Sequence, residues 1–224
     1  NAPYPNPYVG CIIIKNNIII GIGNHKGSGL PHAEINAINS ALENGEYSNS
    51  ALEDSILYCT LEPCCHAGKT PPCIDTILKY KFTKIIIGII DLDEKVNNKS
   101  IDILKNNNID VIVLNSKSVS ETLEMYNYNR RTGLPYVILK IAITLNHRYK
   151  IPDDYNKYIS SAKALQDVHK TRNSVGAIIT TSNTMIIDNP RLNIRLTDQL
   201  IKEIPIVCLT NDPNSMDLLI NNRQ

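Results

Sequence analysis

The stretch Thr60-Leu61-Glu62-Pro63-Cys64-Cys65-His66, which continues to Pro71-Pro72-Cys73, decides the fold together with the earlier triplet His32-Ala33-Glu34. Zinc prefers tetrahedral coordination by nitrogen and sulfur, and a catalytic zinc keeps three protein ligands so that one position stays open. We interpret His32, Cys64 and Cys73 as those ligands. The sequence therefore predicts that three distant segments of the chain converge on one metal ion.

Two other interpretations of these cysteines stay open. In a structural zinc site four ligands close the coordination sphere, and Cys65 or His66 would have to be the fourth. Both lie too close to Cys64 in sequence for the gap that is typical of structural zinc pairs. The cysteines would otherwise be small buried hydrophobic residues without a metal. The catalytic interpretation is favoured because a His-x-Glu triplet followed by Pro-Cys and a later Cys is the arrangement of zinc-dependent nucleobase deaminases.

Glu34 follows the histidine closely and is predicted to move protons, not to bind the metal. Zinc lowers the pKa of a bound water towards about 7, so that hydroxide is available to attack an amino-bearing ring carbon. Ammonia is a poor leaving group unless it is protonated. A carboxylate beside the metal can take the proton of the water and deliver it to the ring nitrogen and then to the amine. The pattern thus predicts hydrolytic deamination with Glu34 as both base and acid.

Composition narrows the class of partner. The formal net charge of +1 gives no electrostatic reason to expect binding to nucleic acid and favours a small-molecule substrate. Four of the six cysteines lie between Cys59 and Cys73, which indicates metal-ligand clustering and not a disulfide framework. We find no apolar run near the length of a membrane span and no signal peptide. We therefore expect a cytoplasmic enzyme that does not act at a membrane.

Apolar patterning predicts an α/β sandwich, because strands and helices alternate along the chain. Residues 9–15 and 18–23 are predicted to form a hairpin, and residues 32–42 a helix. Both predicted helix N-termini near the cysteines would face the metal, one carrying His32 and the other Cys73. The remaining predicted elements are strands over residues 55–60, 84–90 and 109–114, and helices over residues 71–80, between the last two strands, and over 118–129.

Three stretches closely resemble the deaminase half of the bifunctional riboflavin-biosynthesis deaminase/reductase family. They are Tyr4-Pro5-Asn6-Pro7-Tyr8-Val9-Gly10, Pro31-His32-Ala33-Glu34, and residues 60–73 with their His-Ala-Gly-Lys-Thr-Pro-Pro-Cys extension. General cytidine deaminases share only the His-x-Glu and Pro-Cys parts. The resemblance implies that Asn6 contacts a pyrimidine and that His66, Lys69 and Thr70 lie near a ribose phosphate, which such a lining suits. The alternative for these residues, Lys69 above all, is a solvated loop.

The chain changes character at Asn129-Arg130-Arg131-Thr132-Gly133-Leu134-Pro135, where a basic connection marked by Gly and Pro precedes a new apolar segment. We place the domain boundary there, with a zinc-dependent pyrimidine deaminase domain over residues 1–130 and part of an NADPH-dependent reductase domain over residues 131–224. Residues 135–142 resemble the first strand of the reductase half, and Asp188-Asn189-Pro190-Arg191-Leu192-Asn193-Ile194-Arg195 is its strongest match. The resemblance implies a cytidine-deaminase-like three-layer domain followed by a dihydrofolate-reductase-like domain.

The resemblance also implies roles for residues of the second half. Thr184 and Asp188 would bind the nicotinamide dinucleotide, Tyr158 would be an aromatic contact to it, and Ile143 would offer mainly its backbone. The residues that would meet the substrate are Lys140, Arg172, Leu192 and Arg195. The arginines suit its phosphate because a guanidinium fork matches phosphate oxygens. For Arg172, a charge at the C-terminus of a helix is the alternative interpretation.

The second half departs from the family pattern at two places. The family shows Ser-Leu-Asp-Gly and a basic residue where this chain has Thr144-Leu145-Asn146-His147-Arg148, so a side chain replaces glycine. If glycine served a positive φ or a close approach to the cofactor, His147 would crowd the site. The chain also ends at Gln224 after one predicted strand, residues 204–209, without a later Gly-rich loop for a pyrophosphate. We therefore expect an incomplete reductase half.

The sequence thus favours a two-domain enzyme of riboflavin biosynthesis. By resemblance, it would deaminate 2,5-diamino-6-ribosylamino-4(3H)-pyrimidinone 5′-phosphate with Zn²⁺ and then reduce the ribosyl group to ribityl with NADPH. One alternative keeps the deaminase and makes the second domain a non-functional scaffold that dimerises, so a homo-oligomer is compatible with the sequence. Another makes the chain a non-catalytic, zinc-stabilised binding module.

Overall fold

The computed structural model describes residues 6–43, 52–148, 159–195 and 203–211. The chain divides into two compact units, residues 1–137 and 138–224. The domain boundary that we place after residue 130 stays a prediction.

The first unit begins with an antiparallel hairpin. Strand β1 (Gly10–Lys15) pairs with β2 (Ile18–Asn24), and Asn16 and Asn17 between them have φ values of 51° and 62°. Two positive φ values in a two-residue connection match the twist of the flanking strands, and asparagine tolerates this conformation better than most residues. The predicted hairpin is confirmed.

Five strands form one mixed sheet in the order β2-β1-β3-β4-β5, in which β3 is Ile56–Leu61, β4 is Lys84–Ile89 and β5 is Asp110–Val113. Strand β3 is antiparallel to β1, whereas β3, β4 and β5 are mutually parallel. Parallel neighbours require a crossover connection. Helix α2 (Cys73–Lys79) lies between β3 and β4 in the chain, and α3 (Lys99–Asn106) lies between β4 and β5. The predicted α/β fold is confirmed.

One face of this sheet carries the buried core. Successive side chains of a strand point to opposite faces, so every second residue can be buried on the same side. Along the three central strands the alternate residues are at most 3% exposed: Cys11, Ile13, Leu57, Cys59, Ile85 and Ile87. Together with Ala37 and Ile38 of helix α1 (Ala33–Glu43), they form one apolar cluster. Burial of this face anchors α1 to the sheet.

Glycines allow α1 to lie very close to β2. A Cβ atom at Gly23 would be 2.1 Å from the carbonyl oxygen of Ala33, and one at Gly21 would be 2.3 Å from that of Ala37. Only glycine permits such an approach of strand and helix backbone. The N-terminus of α1, and His32 directly before it, are therefore held against the sheet.

Residues 118–129, which the sequence predicts to be helical, belong to two consecutive helices. Helix α4 (Lys117–Thr122) and α5 (Glu124–Thr132) are separated by Leu123, which has φ −98° and ψ 12° and is 2% exposed. The prediction of helical structure over residues 118–129 is confirmed apart from the break at Leu123, which the apolar period does not indicate. No helix in the described ranges is both long and apolar enough to cross a membrane.

The second unit contains α6 (Ala162–Ser174), β6 (Ile178–Thr181), α7 (Ser182–Asp188) and β7 (Ile206–Leu209) within its described residues. Strands β6 and β7 are parallel neighbours. The hydroxyl of Ser161 accepts the Ala164 N–H at the start of α6, and the hydroxyl of Thr181 accepts the Thr184 N–H at the start of α7, as N-cap residues do. The strand predicted over residues 204–209 is confirmed as β7.

Residues 135–142 do not form the strand that the sequence predicts. They pair with no other strand in the described part of the chain, and Val137, Leu139 and Ile141 are 75%, 80% and 61% exposed. A strand exists through hydrogen bonds to a neighbour, whereas an apolar pattern only shows that a segment suits a sheet. The pattern is present here without that neighbour.

We expect Gly23→Ala to lower the free energy of unfolding of the first unit by about 1–3 kcal/mol, the usual cost of overpacking. The new methyl group would meet backbone atoms of Ala33, Asn36 and Ala37, which cannot rotate away. Urea unfolding measures this loss of unfolding free energy. Gly68→Ala is the control, because a Cβ there meets nothing within 4 Å. Equal unfolding midpoints for the two variants would contradict the close packing of α1 on β2.

Candidate metal centre

Three elements bring the predicted ligands to one place. His32 directly precedes α1, Cys64 follows the end of β3, and Cys73 is the first residue of α2. Their ligand atoms all lie within 4.8 Å of one another. The two helices therefore begin at the cluster, as the sequence predicts.

The geometry of the cluster fits zinc. Nδ1 of His32 lies 3.4 Å from Sγ of Cys64 and 3.3 Å from Sγ of Cys73. In a tetrahedral zinc site with ordinary bond lengths, an imidazole nitrogen and a thiolate sulfur are about 3.5 Å apart. One nitrogen and two sulfurs are also a donor set that zinc prefers. The two nitrogen–sulfur distances and the donor types therefore suit a zinc ion.

The two thiols are unequal in acidity. A hydrogen bond from the Cys73 thiol lowers the pKa of Cys64 to about 4, and the same bond raises the pKa of Cys73. The backbone N–H of Cys73 also donates to Sγ of Cys64 at 3.3 Å. Cys64 is thus held as a thiolate, the form that binds metals, and a bound dication would favour ionisation of Cys73 as well.

The other ring nitrogen of His32 has its own partner. Nε2 lies 3.3 Å from the hydroxyl oxygen of Thr70. Metal-binding histidines usually donate their second N–H to such an acceptor, which fixes the tautomer and the orientation of the ring. Thr70 therefore orients His32 with Nδ1 towards the sulfurs, a role that the sequence did not suggest. Its predicted place near a ribose phosphate stays a prediction.

Glu34 lies beside the cluster, in the first turn of α1, and is 3% exposed. Burial raises the pKa of Glu34 to about 7, and its carboxyl group lies within hydrogen-bonding reach of Cys73. A carboxyl group with a pKa near the working pH can both accept and donate a proton. Glu34 is not part of the three-ligand cluster.

Neither candidate for a fourth ligand belongs to the cluster. The Cys65 thiol donates to the carbonyl oxygen of Lys95 at 3.5 Å. Nδ1 of His66 is buried without a hydrogen-bond partner among the described residues. Over the described ranges, His32, Cys64 and Cys73 form the only group of at least three potential metal ligands in mutual reach. The described residues thus supply three ligands and no fourth, which argues against a closed structural site.

His25 is a residue of this site that the sequence analysis missed. Its Nε2 lies 2.8 Å from the side-chain nitrogen of Asn6, and its Nδ1 lies 3.1 Å from the carbonyl oxygen of Pro31. Its ring centroid is 5.0 Å from that of His32. His25 is 5% exposed, and burial lowers its pKa. The available signal was a histidine placed directly after β2. His25 connects Asn6, a predicted substrate contact, to the metal centre.

Lys69 lies on the loop between β3 and α2. Its ammonium group donates to the hydroxyl of Ser28 at 3.2 Å and is exposed. This hydrogen bond joins the loop that carries Lys69 to the one that leads to His32. The substrate-binding roles of Asn6, His66 and Lys69 stay predictions.

In the second unit, Arg172 and Arg195 meet at one short segment. The Arg172 guanidinium donates to the carbonyl oxygen of Asn193 at 3.2 Å, and that of Arg195 donates to the Asn193 side chain. The backbone N–H of Arg195 donates to Nδ1 of His169 at 3.1 Å. Burial and the charge of Arg195 lower the pKa of Arg172. Neither arginine has an ion pair within the described residues, so together they suit an anion. Leu192, predicted to contact the substrate, precedes this segment with φ 52°.

The predicted cofactor residues are not joined to one another by hydrogen bonds in the described part of the second unit. The Thr184 hydroxyl lies 3.2 Å from that of Thr181 at the start of α7, and Asp188 is the exposed last residue of α7. Ile143 is 45% exposed, and Lys140 is also exposed. Tyr158 lies outside the described residues.

His147 has a left-handed backbone with φ 60°. The resemblance places a glycine at this position, and a positive φ is a conformation that glycine adopts without strain. Two backbone hydrogen bonds of Thr144 stabilise the turn. The N–H of Thr144 donates to the carbonyl oxygen of Arg148 at 2.8 Å, and the carbonyl oxygen of Thr144 accepts the N–H of His147 at 2.9 Å. The substitution of glycine is thus tolerated in the turn, at some cost in backbone strain.

Two protein-family models match the chain, one in its first half and one in its second half. Residues 1–89 match the cytidine and deoxycytidylate deaminase zinc-binding region, and residues 135–222 match the RibD C-terminal domain. The riboflavin biosynthesis protein RibD of Chlamydia muridarum is 37% identical over 216 residues, which are 96% of this chain and 56% of that protein. The RibD protein of Escherichia coli is 35% identical over 196 residues, 87% of this chain and 52% of that protein.

Solved structures give the same result. Acinetobacter baumannii RibD has a TM-score of 0.83 at 32% identity, over 99% of this chain and 62% of that chain. The Thermotoga maritima diaminohydroxyphosphoribosylaminopyrimidine deaminase/5-amino-6-(5-phosphoribosylamino)uracil reductase has a TM-score of 0.82 at 34% identity, over 93% of this chain and 58% of that chain. The chain thus spans little more than half the length of these relatives. Both domain families, in this order, show that the chain belongs to the RibD family of riboflavin biosynthesis proteins.

Proposed function

We propose that the first unit is a zinc-dependent deaminase of 2,5-diamino-6-ribosylamino-4(3H)-pyrimidinone 5′-phosphate. The observation that carries this proposal is a buried carboxylic acid, Glu34, beside a cluster to which the described residues contribute three ligands and no fourth. A structural zinc site needs neither an open position nor a proton carrier. The relatives in riboflavin biosynthesis support the choice of substrate.

In the proposed reaction, His32, Cys64 and Cys73 hold the zinc, which supplies Lewis acidity that makes water a nucleophile at neutral pH. Thr70 keeps the His32 ring oriented through Nε2. Glu34 takes one proton from the attacking water and delivers it to the ring nitrogen. It then takes the second proton of that water from the hydroxyl group added to the ring carbon and delivers it to the departing amine. Burial of Glu34 limits the contact of this carboxyl group with bulk water. Asn6, held by His25, would contact the pyrimidine, and His66, Lys69 and Thr70 would lie near the phosphate.

We also propose that the second unit contributes to the NADPH-dependent reduction of the ribosyl group of the deaminated product. The match of residues 135–222 to the RibD C-terminal domain supports this, as does the pair of arginines that suits a phosphate. Under this proposal Arg172, Leu192, Arg195 and Lys140 contact the substrate, and Ile143, Tyr158, Thr184 and Asp188 contact the cofactor. The cytoplasmic location and the homo-oligomer stay predictions.

The metal assignment predicts about one zinc per chain in the purified protein. Cys64→Ala and Cys73→Ala should each lose most of it, because each removes one of three protein ligands. Cys65→Ala is the matched control and should keep its zinc, since the Cys65 thiol is bonded to the Lys95 carbonyl. Zinc is measured by atomic absorption after dialysis. Full zinc content in both ligand variants would refute the assignment.

The proton-transfer role predicts that Glu34→Gln keeps its zinc and its affinity for substrate. Its rate of deamination should fall by at least about a hundredfold, the usual scale of general acid-base catalysis. Ammonia release measures the rate. Glu43→Gln, at the last residue of α1, is the control for loss of a carboxylate on the same helix. A rate near that of wild type would remove Glu34 from the mechanism.

The phosphate role of Arg172 predicts that Arg172→Ala weakens binding of the deaminated intermediate about tenfold or more, since hydrogen bonds to charged groups contribute roughly 1.5–3 kcal/mol. Calorimetry measures the affinity. Lys170→Ala on the same helix is the control, because Lys170 is exposed and pairs with Asp167. If both variants bind alike, Arg172 is a helix C-terminal charge without a role in recognition.

A further inference from the structure

Glu62 is a buried carboxylate that the proposed reaction does not use. It is 3% exposed and directly follows β3, two residues before the predicted ligand Cys64. No lysine or arginine pairs with it within the described ranges. Burying a charge without a cation is costly unless hydrogen bonds compensate for the lost water. Its position therefore calls for a specific set of donors.

Backbone N–H groups from one neighbouring segment supply these donors. Oε2 of Glu62 accepts the N–H of Asp91 at 3.2 Å and that of Asn98 at 3.1 Å, and Oε1 accepts the N–H of Ser100 at 3.2 Å. Both oxygens thus act as acceptors, which an ionised carboxylate provides and an amide does not.

The same hydrogen bonds cap helix α3 from another element. Asn98, directly before α3, has φ 61°, and its own side chain makes no cap bond. The first N–H groups of a helix have no partner inside the helix, and a negative charge near them is favourable. Glu62 fills this role from the end of β3. The start of α3 is therefore tied to the residues that lead to Cys64.

A second contact fixes the residue between Glu62 and Cys64. The hydroxyl of Ser100 donates a short hydrogen bond to the carbonyl oxygen of Pro63. From the other side, the carbonyl oxygen of Cys64 accepts the N–H of Ile74 in α2 at 3.2 Å. The backbone around Cys64 is thus held between α3 and α2, and Glu62 is the side chain that binds it to α3.

We propose that Glu62 is a positioning residue for the metal centre, which sets the place of the Cys64 sulfur by locking residues 62–64 to the N-terminus of α3. The inference rests on the proposed zinc site, but not on the identity of the substrate. This positioning role requires the carboxylate of Glu62, because each carboxylate oxygen accepts a hydrogen bond from a backbone N–H. A glutamine of the same shape would turn an amide N–H towards one of these donors.

The test is Glu62→Gln in the full chain, with zinc affinity measured by competition with a chromophoric chelator. We expect zinc to bind about tenfold more weakly, the scale of loss when a residue that supports a metal ligand is changed. The visible absorption of the Co²⁺-loaded variant should also shift, because the geometry at the Cys64 sulfur changes. Ser100→Ala, which removes only the bond to Pro63, should weaken zinc binding by a smaller factor, and it serves if Glu62→Gln does not fold.

Two controls separate positioning from general stability. Leu104→Val shortens a fully buried side chain of α3 and should lower the melting temperature of the metal-free protein without changing zinc affinity or the Co²⁺ spectrum. Glu53→Gln removes a partly exposed carboxylate of the same unit, paired with Lys81, and should change neither.

Wild-type zinc affinity and Co²⁺ spectrum in both Glu62→Gln and Ser100→Ala would overturn the inference. So would a loss of affinity in Leu104→Val equal to that in Glu62→Gln. Failure of the proposed function is distinguishable, because a wild-type chain that binds zinc but releases no ammonia from the pyrimidine leaves this comparison of affinities intact.

Discussion

A zinc site built from one histidine and two cysteines requires three distant segments to meet, and this requirement governs how the first unit is packed. His32 and Cys73 are each placed at the start of a helix, so the N-termini of α1 and α2 have to meet near the end of β3. Backbone contact between β2 and α1 at Gly23 makes the first of these placements possible. The hydrogen bond from Ile74 to the Cys64 carbonyl supports the second. The packing of the helices on the sheet therefore determines the ligand geometry in this unit.

In the metal centre, neighbouring polar groups set the orientation and the protonation state of the side chains. Thr70 orients the ring of His32, the Cys73 thiol favours the thiolate of Cys64, and burial raises the pKa of Glu34 to about 7. None of these effects needs a residue outside the two loops and two helices around the cluster.

Sequence reasoning predicted most of the first unit because its signals are local. The Asn16-Asn17 turn, the start of α2 after Pro72 and the apolar strands are each encoded by a few adjacent residues. It missed His25, because its contact with Asn6 spans nineteen positions in the chain. It also predicted a strand over residues 135–142, where pairing depends on a partner that an apolar pattern does not specify. The non-helical backbone of the single residue Leu123 interrupts the helical segment, and the apolar periodicity of a longer stretch does not indicate such a break.

The ligand cluster joins residues that are far apart in the chain, and an unfolded chain does not hold them in place. An ion that binds only the folded form raises stability with the logarithm of its free concentration. The open form of a protein is the one that proteases remove. If zinc is the resident ion, the lifetime of this protein in the cell follows the local zinc supply, and scarcity of the metal lowers the amount of enzyme as well as its activity.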